Sequence, residues 1–364
     1  MSFFIVRRYG LFLLCIFDSN IRFDIDDSVS LDECWLIILL LISKTDSSFA
    51  GTSSLHDLWK YFKDAKMVKI PSYNSGPFPN EFMSIKDGSY KNSPVEIDAL
   101  IAYPKKGEGP FPVLVFNHAS GGPKSYISKW FKFNKSMAMQ LRKKGIAVMF
   151  VDNFTARNVT GAATDQAQVS TYSFYIDAFM TLEYLSKDPK INIKKVGITG
   201  WSRGGMNSLA ISEKRIRDTL ISKDLYYAAA LPRAVECYQS GYFRNPQPIK
   251  ETKTWMVNGE KDDASHAHIC EEYGEKMKAN GADIKVTTKK GWGHGFEANY
   301  EAEYEEHLEA WHECPAYYTE DDGTPNKDVK IDASCITYGY TVGGNKGGVF
   351  SKPFKKFFIE NLLN

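Results

Sequence analysis

The run Gly200-Trp201-Ser202-Arg203-Gly204 sets a serine between two glycines, after the apolar stretch Val196 to Thr199 and before the helix-compatible stretch Met206 to Ile211. Strand, sharp turn and helix in that order make a nucleophile elbow: the glycines let the turn close, and the serine hydroxyl is lifted above the sheet edge. The same turn aims the backbone N–H of Arg203 at an oxyanion forming on a substrate, so the pair suits acyl transfer. Such a serine needs a base, and the base an orienting acid, in the chain order serine, acid, histidine. Thr254 to Asn258 reads as a buried strand and Gly259-Glu260-Lys261-Asp262-Asp263 as the loop leaving it. Asp262 is the first choice for the acid and Asp263 the alternative; either could instead cap the helix expected from near Ser265. Ile284 to Thr288 reads as the next strand. The loop after it, Gly291-Trp292-Gly293-His294-Gly295-Phe296, carries the base, His294, between glycines that permit close backbone approach.

A second loop belongs with this set. Pro112 to Asn117 is an apolar strand that delivers His118-Ala119-Ser120-Gly121-Gly122 to the sheet edge. The loop is similar to the His-Gly-x-x-Gly oxyanion loop, in which the histidine braces the turn and the amide two residues on, here Ser120, is the second oxyanion donor. Ala119 stands where glycine is commoner. His118, Trp201 and Arg157 are candidate substrate contacts. The Arg157 guanidinium could clamp a substrate carboxylate or form a structural ion pair, for which Asp152 is the nearest partner in sequence. His56, His307 and His312 read as solvated surface. His266 and His268 lack companions at metal-ligand spacing, so no metal is expected, and a triad of this kind uses no cofactor.

These loops must be positioned by strands and helices that alternate, which implies a mostly parallel central sheet with helices on both faces. Glu81 to Lys86, the Asp87-Gly88 turn and Val95 to Tyr103 read as an antiparallel start. Lys124 to Lys144 reads as a helix closed by Gly145, Ile146 to Val151 as a strand, and Tyr172 to Leu185 as a helix whose aromatic stripe is core. Ala228 to Leu231 is a further strand, the acidic run before His312 a helix, and Phe354 to Leu363 a closing helix. The stretch between Leu231 and Trp255 leaves no room for a separate cap domain. The cleft is then walled by the loop from Phe154 to Ser170 and by an insertion over 311–348, rich in Tyr, Asp and Gly.

From about Pro112 to the C-terminus these features resemble the dienelactone hydrolase family of α/β-hydrolases. The resemblance rests on the triad set, on Val151-Asp152-Asn153-Phe154 with Arg157, on the helix over 172–185, on the Asp188-Pro189 stop, on the Gly-Trp-Ser elbow and on Gly-Glu-Lys-Asp-Asp followed by Cys270. It implies the α/β-hydrolase fold and a serine hydrolase of small ester or lactone substrates. The enzymes that open dienelactone carry a cysteine nucleophile where this chain has Ser202, so the resemblance points to a serine carboxylesterase of the family rather than to dienelactone itself. A peptidase or acyltransferase using the same triad is the alternative, and a non-catalytic hydrolase-fold binding protein is a reading from another class.

Composition fits this picture. The chain has 364 residues, is 43% hydrophobic and carries a net charge of +1, with no basic stripe interleaved with aromatics; a nucleic-acid partner is not expected, and no partner protein is indicated. Three segments are expected: a leader over 1–50, an extension over 51–80 and a catalytic domain over 81–364. In the leader, Gly10 to Phe17 behind Arg7-Arg8 and Trp35 to Ile42 look like signal-peptide cores, with Ser48-Phe49-Ala50 as a cleavage site. Export to the periplasm or medium is expected, with a cytoplasmic enzyme or an N-terminal membrane anchor as alternatives. Loss of the leader removes Cys15 and Cys34 and leaves Cys237, Cys270, Cys314 and Cys335. Of the three possible pairings, Cys237 with Cys270 and Cys314 with Cys335 is favoured: the first two follow neighbouring strands, and the second two would tie off the insertion.

Overall fold

The computed structural model describes residues 2–8, 11–17, 55–127, 132–237, 241–297, 301–327, 333–343 and 351–364. The chain divides into two compact units, Met1–Gly51 and Thr52–Asn364. In the first, β1 (Ser2–Arg8) and β2 (Leu11–Phe17) pair antiparallel, with Ser2 opposite Phe17 and Arg8 opposite Leu11. The second apolar run of the leader, Trp35 to Ile42, and Ser48-Phe49-Ala50 lie outside the described residues. No helix among the described residues is long and apolar enough to cross a membrane.

In the second unit the chain runs through helix α1 (His56–Trp59), β3 (Lys66–Tyr73), α2 (Glu81–Lys86), β4 (Pro94–Ala102) and β5 (Phe111–Asn117). It continues through α3 (Lys132–Lys143), β6 (Ala147–Asp152), α4 (Thr171–Leu185), β7 (Ile191–Trp201), α5 (Arg203–Ala210) and α6 (Lys214–Leu220). Then come β8 (Ala229–Arg233), β9 (Lys253–Gly259), α7 (Ala267–Ala279), β10 (Asp283–Lys289), the pair β11 (Glu303–Ala310) and β12 (Thr337–Val342), and α8 (Ser351–Leu362). Eight strands form one sheet in the order β10-β9-β8-β7-β5-β6-β4-β3. The six from β10 to β6 are parallel, and β4 and β3 add an antiparallel edge. This order, with helical crossovers from β5 to β6, β6 to β7, β7 to β8 and β9 to β10, is the α/β-hydrolase arrangement. Only residues 234–252 join β8 to β9, and no cap domain sits there.

The core follows from the period of two along each strand. In β5, Val113 and Val115 face one apolar cluster with Tyr172, Phe174 and Phe179 of α4, whereas Leu114 and Phe116 face the other with Met137 and Leu141 of α3 and Phe354 and Phe358 of α8. The alternation in β6 is the same: Met149 and Val151 on one side, Val148 and Phe150 on the other. Both faces are therefore covered, and the backbone polar groups of the central strands are paired along the sheet.

Three expectations are corrected. Glu81–Lys86 is a helix and not a strand: Phe82 and Ile85, three residues apart, are buried together. The antiparallel partner of β4 is Lys66–Tyr73, ahead of residue 81, with Lys66 opposite Ile101 and Tyr73 opposite Pro94. The segment over 124–144 is not one helix but a single 3₁₀ turn, Pro123–Tyr126, and α3 beginning at Lys132. The acidic run is the strand β11, paired antiparallel with β12.

Candidate active site

Strands β5 and β7 are neighbours, while β6 lies on the far side of β5, so the chain switches direction across the sheet at β5. Crevices at such a switch, outside the carboxyl ends of the strands, are where open α/β sheets bind ligands. The loops after these two strands carry His118-Ala119-Ser120 and Ser202.

Ser202 sits at φ 53°, ψ −122°, between the end of β7 and the start of α5. A side chain in that region costs on the order of 1–3 kcal/mol and persists only when its surroundings fix it. Here they do. The Ser202 N–H donates to Arg233 O at 3.0 Å and the Met206 N–H to Ser202 O at 2.9 Å. A Cβ on Gly200 would lie 2.3 Å from the Gly204 carbonyl, and one on Gly204 would lie 2.6 Å from Asn117 O. Gly205, unremarked in the sequence, is held to the same limit, since its Cβ would lie 2.5 Å from Arg233 O. The three glycines thus let β5, the elbow and the end of β8 approach backbone to backbone. As the first residue of α5, Arg203 has an N–H with no acceptor within its own helix.

His118 is buried and braces the neighbouring loop. Its Nε2 accepts from the Asn153 N–H at 3.1 Å, which leaves the proton on Nδ1, where it donates to Ala119 O at 2.8 Å. Burial pushes the imidazole below its ordinary pKa and outweighs the pull of Asp152, so the ring is neutral. Ser120 lines the cavity; its Oγ donates to Gln166 Oε1 at 2.7 Å and its carbonyl accepts from Ala162.

The two aspartates after β9 separate cleanly. Asp262 Oδ1 accepts from the amides of Ala264 and Ser265, at 3.0 and 2.8 Å, and Oδ2 lies 2.9 Å from His294 Nδ1. Asp263 turns the other way, and both its oxygens accept from the Thr341 N–H of β12 at 3.0 Å. The loops carrying Asp262 and His294 are joined directly: Lys261 N–H donates to Trp292 O at 2.7 Å, and a Cβ on Gly259 would lie 2.3 Å from that same oxygen. His294 is 1% exposed, packs against Trp201 and Tyr340, and receives the Gly343 N–H on its carbonyl. Its Nε2 has no hydrogen-bond partner among the described residues, Ser202 Oγ included. Ser202, His294, Ser120 and Arg203 line one cavity of about 390 Å³.

The other expected contacts fall outside this cavity. Arg157 is saturated elsewhere: it forms a bidentate pair with Asp177, not with Asp152, at 2.8 and 3.0 Å, and donates to Asn74 Oδ1 and to the carbonyls of Asn153 and Tyr73. Asp152 instead accepts from Phe154, Thr155 and the Thr155 hydroxyl. Trp201 packs on His294, and His118 lies behind the loop it braces. His312 is half-buried rather than freely solvated: its side chain is 15% exposed and its ring packs edge-on against His266. Sequence reasoning missed the part of the wall formed by Phe78 and Glu81, and also Glu309 at the end of β11. It missed as well the buried ion pair Arg233–Glu297 behind the elbow, where Arg233 also donates to Asn134 Oδ1 at 3.0 Å. Cys237 is bridged to Cys270 and Cys314 to Cys335.

Comparison with known proteins adds the following. No curated protein matches the chain. Among solved structures, a Klebsiella pneumoniae protein assigned as a dienelactone hydrolase is 15% identical, with 64% of this chain and 90% of that one covered and a TM-score of 0.44. A thermophilic esterase of Thermogutta terrifontis, with propionate bound, is 14% identical, with 56% and 81% covered and a TM-score of 0.42. The model of the dienelactone hydrolase family matches residues 97–316, more than half of the chain and the span from within β4 to past His294, and the chain belongs to that family.

Proposed function

We propose that the protein is a serine hydrolase of small carboxylic esters or lactones. Ser202 Oγ attacks the ester carbonyl as His294 Nε2 takes its proton, and Asp262 holds Nδ1–H toward itself and stabilises the imidazolium. The amides of Arg203 and Ser120 donate to the oxyanion. Collapse of the tetrahedral intermediate expels the alcohol, which leaves with the proton from His294. Water then attacks the acyl-Ser202 ester, again through His294, and the carboxylic acid is released. The observation that carries this reading is a buried Asp262–His294 pair whose free Nε2 shares a cavity with a serine in strained backbone geometry. Export into an oxidising compartment belongs to the same proposal and is supported by the two bridges.

The test is Ser202→Ala beside wild type on a panel of p-nitrophenyl esters, lactones and peptide amides, with fluorophosphonate labelling and peptide mapping. Label on Ser202 alone and a loss of about 10³-fold or more in ester turnover are expected. Label elsewhere, or near-normal turnover in the variant, refutes the assignment; amides cleaved in preference to esters would move it to a peptidase.

A further inference from the structure

The cavity that holds Ser202 is unevenly charged. Two buried glutamates, Glu81 and Glu309, are among its lining residues, against one arginine, Arg203. Glu81 and Glu309 are only 5% and 6% exposed, so their charges are felt through protein more than through water. Glu81 accepts from the Ser170 hydroxyl at 2.6 Å, and Glu309 from the Trp311 indole N–H. Arg203 forms no ion pair among the described residues; its guanidinium donates to the carbonyls of Val169 and Gln166 and so holds the wall formed by that loop. Burial raises the Glu81 carboxyl above its ordinary pKa. Aromatic rings complete the lining, with Phe78, Trp311 and Tyr340 around the same space. That the space receives a ligand at all is argued separately by His294 Nε2, buried and unpartnered on its wall.

Carboxylates and aromatic faces together favour a cation, by charge and by the ring quadrupole, and disfavour an anion. We infer that the favoured substrate is an ester bearing an amine or quaternary ammonium group, and that Glu309 and Glu81 set this preference. The inference rests on the hydrolase reading above and names its substrate class.

Three thioesters sharing one acetyl group test it: acetylthiocholine, its uncharged isostere 3,3-dimethylbutyl thioacetate, and the anionic S-acetyl-3-mercaptopropionate. The expected kcat/KM for the ammonium ester is about tenfold or more above the isostere, and the isostere is well above the anion; tenfold is about 1.4 kcal/mol. Glu309→Gln keeps an oxygen for the Trp311 indole and Glu81→Gln one for Ser170, and each should shrink the ammonium-to-neutral ratio several-fold. The inactivation rates of methylphosphonothioates carrying the same cationic and neutral leaving groups read the same ratio independently of turnover. An isostere equal to or better than the ammonium ester, or an anion preferred to both, overturns the charge preference alone. If neither turnover nor inactivation depends on Ser202, the hydrolase reading falls first.

Discussion

Asp262→Asn tests the division of labour between the two adjacent aspartates. Two backbone N–H groups, those of Ala264 and Ser265, point at Oδ1 of Asp262, so an asparagine must keep its carbonyl oxygen there. Its amide nitrogen then takes the place of Oδ2, 2.9 Å from His294 Nδ1. Nδ1 also lies 3.0 Å from Oδ1, but an N–H at the nearer position favours the tautomer with the imidazole proton on Nε2, and a histidine in that tautomer cannot accept the serine proton. The expected loss in kcat is about 10⁴-fold, the size associated with a wrong-tautomer imidazole in a triad, or roughly 5.5 kcal/mol of barrier. Asp263→Asn keeps one acceptor for the Thr341 N–H and loses only the charge, which costs about 1 kcal/mol in the anchoring of β12 and less than about tenfold in kcat/KM. The assay is hydrolysis of a neutral p-nitrophenyl ester, normalised to folded protein by thermal melting. Equal losses in the two variants, the reverse order, or more than about a tenth of wild-type kcat in Asp262→Asn would refute the assignment.

Two further outcomes follow from buried groups. Because burial depresses the His118 pKa, its contribution to stability is complete above the unfolded value of about 6.5 and is lost as pH falls from there through the folded value; the unfolding free energy of wild type, measured in urea, should therefore fall more steeply than that of His118→Gln in this window, by up to about 1.4 kcal/mol per pH unit, and parallel curves would contradict it. Reduction of unfolded protein should add four hydrogens to the intact mass, and Cys314→Ser with Cys335→Ser should lower stability by roughly 3 kcal/mol for a loop of that length; four free thiols in native material would sink the bridges and the export proposal together.

The parts of the site that could be read from sequence are those built by local backbone geometry. Gly200 and Gly204 stand two residues either side of Ser202 because carbonyls crowd both positions, and that crowding leaves its mark at fixed spacing. Asp262 and Asp263 could not be separated this way, since what distinguishes them is a contact with Thr341, 78 residues away. Elements at the rim were the hardest. Lys66–Tyr73 is polar and contains Pro71, which suits an edge strand and hides it from a search for apolar alternation. Glu81–Lys86 is too short for its period to choose between helix and strand. The glutamates of β11 carry helix propensity, and pairing with β12 overrides it.

The β11–β12 pair supplies walls of the cavity through Glu309, Ala310 and Tyr340, yet none of Ser202, Asp262 and His294 lies on it. It is moored at discrete points: Asp263 to Thr341, Gly343 N–H to His294 O, and Glu309 N–H to Ala163 O. On the proposed reading, the chemistry and the Glu309 share of the selectivity are carried by separable stretches of chain. Grafting a different hairpin onto the same moorings would redirect which esters are chosen while leaving the hydrolytic apparatus as it stands, and Asp263 is the residue any such graft has to respect.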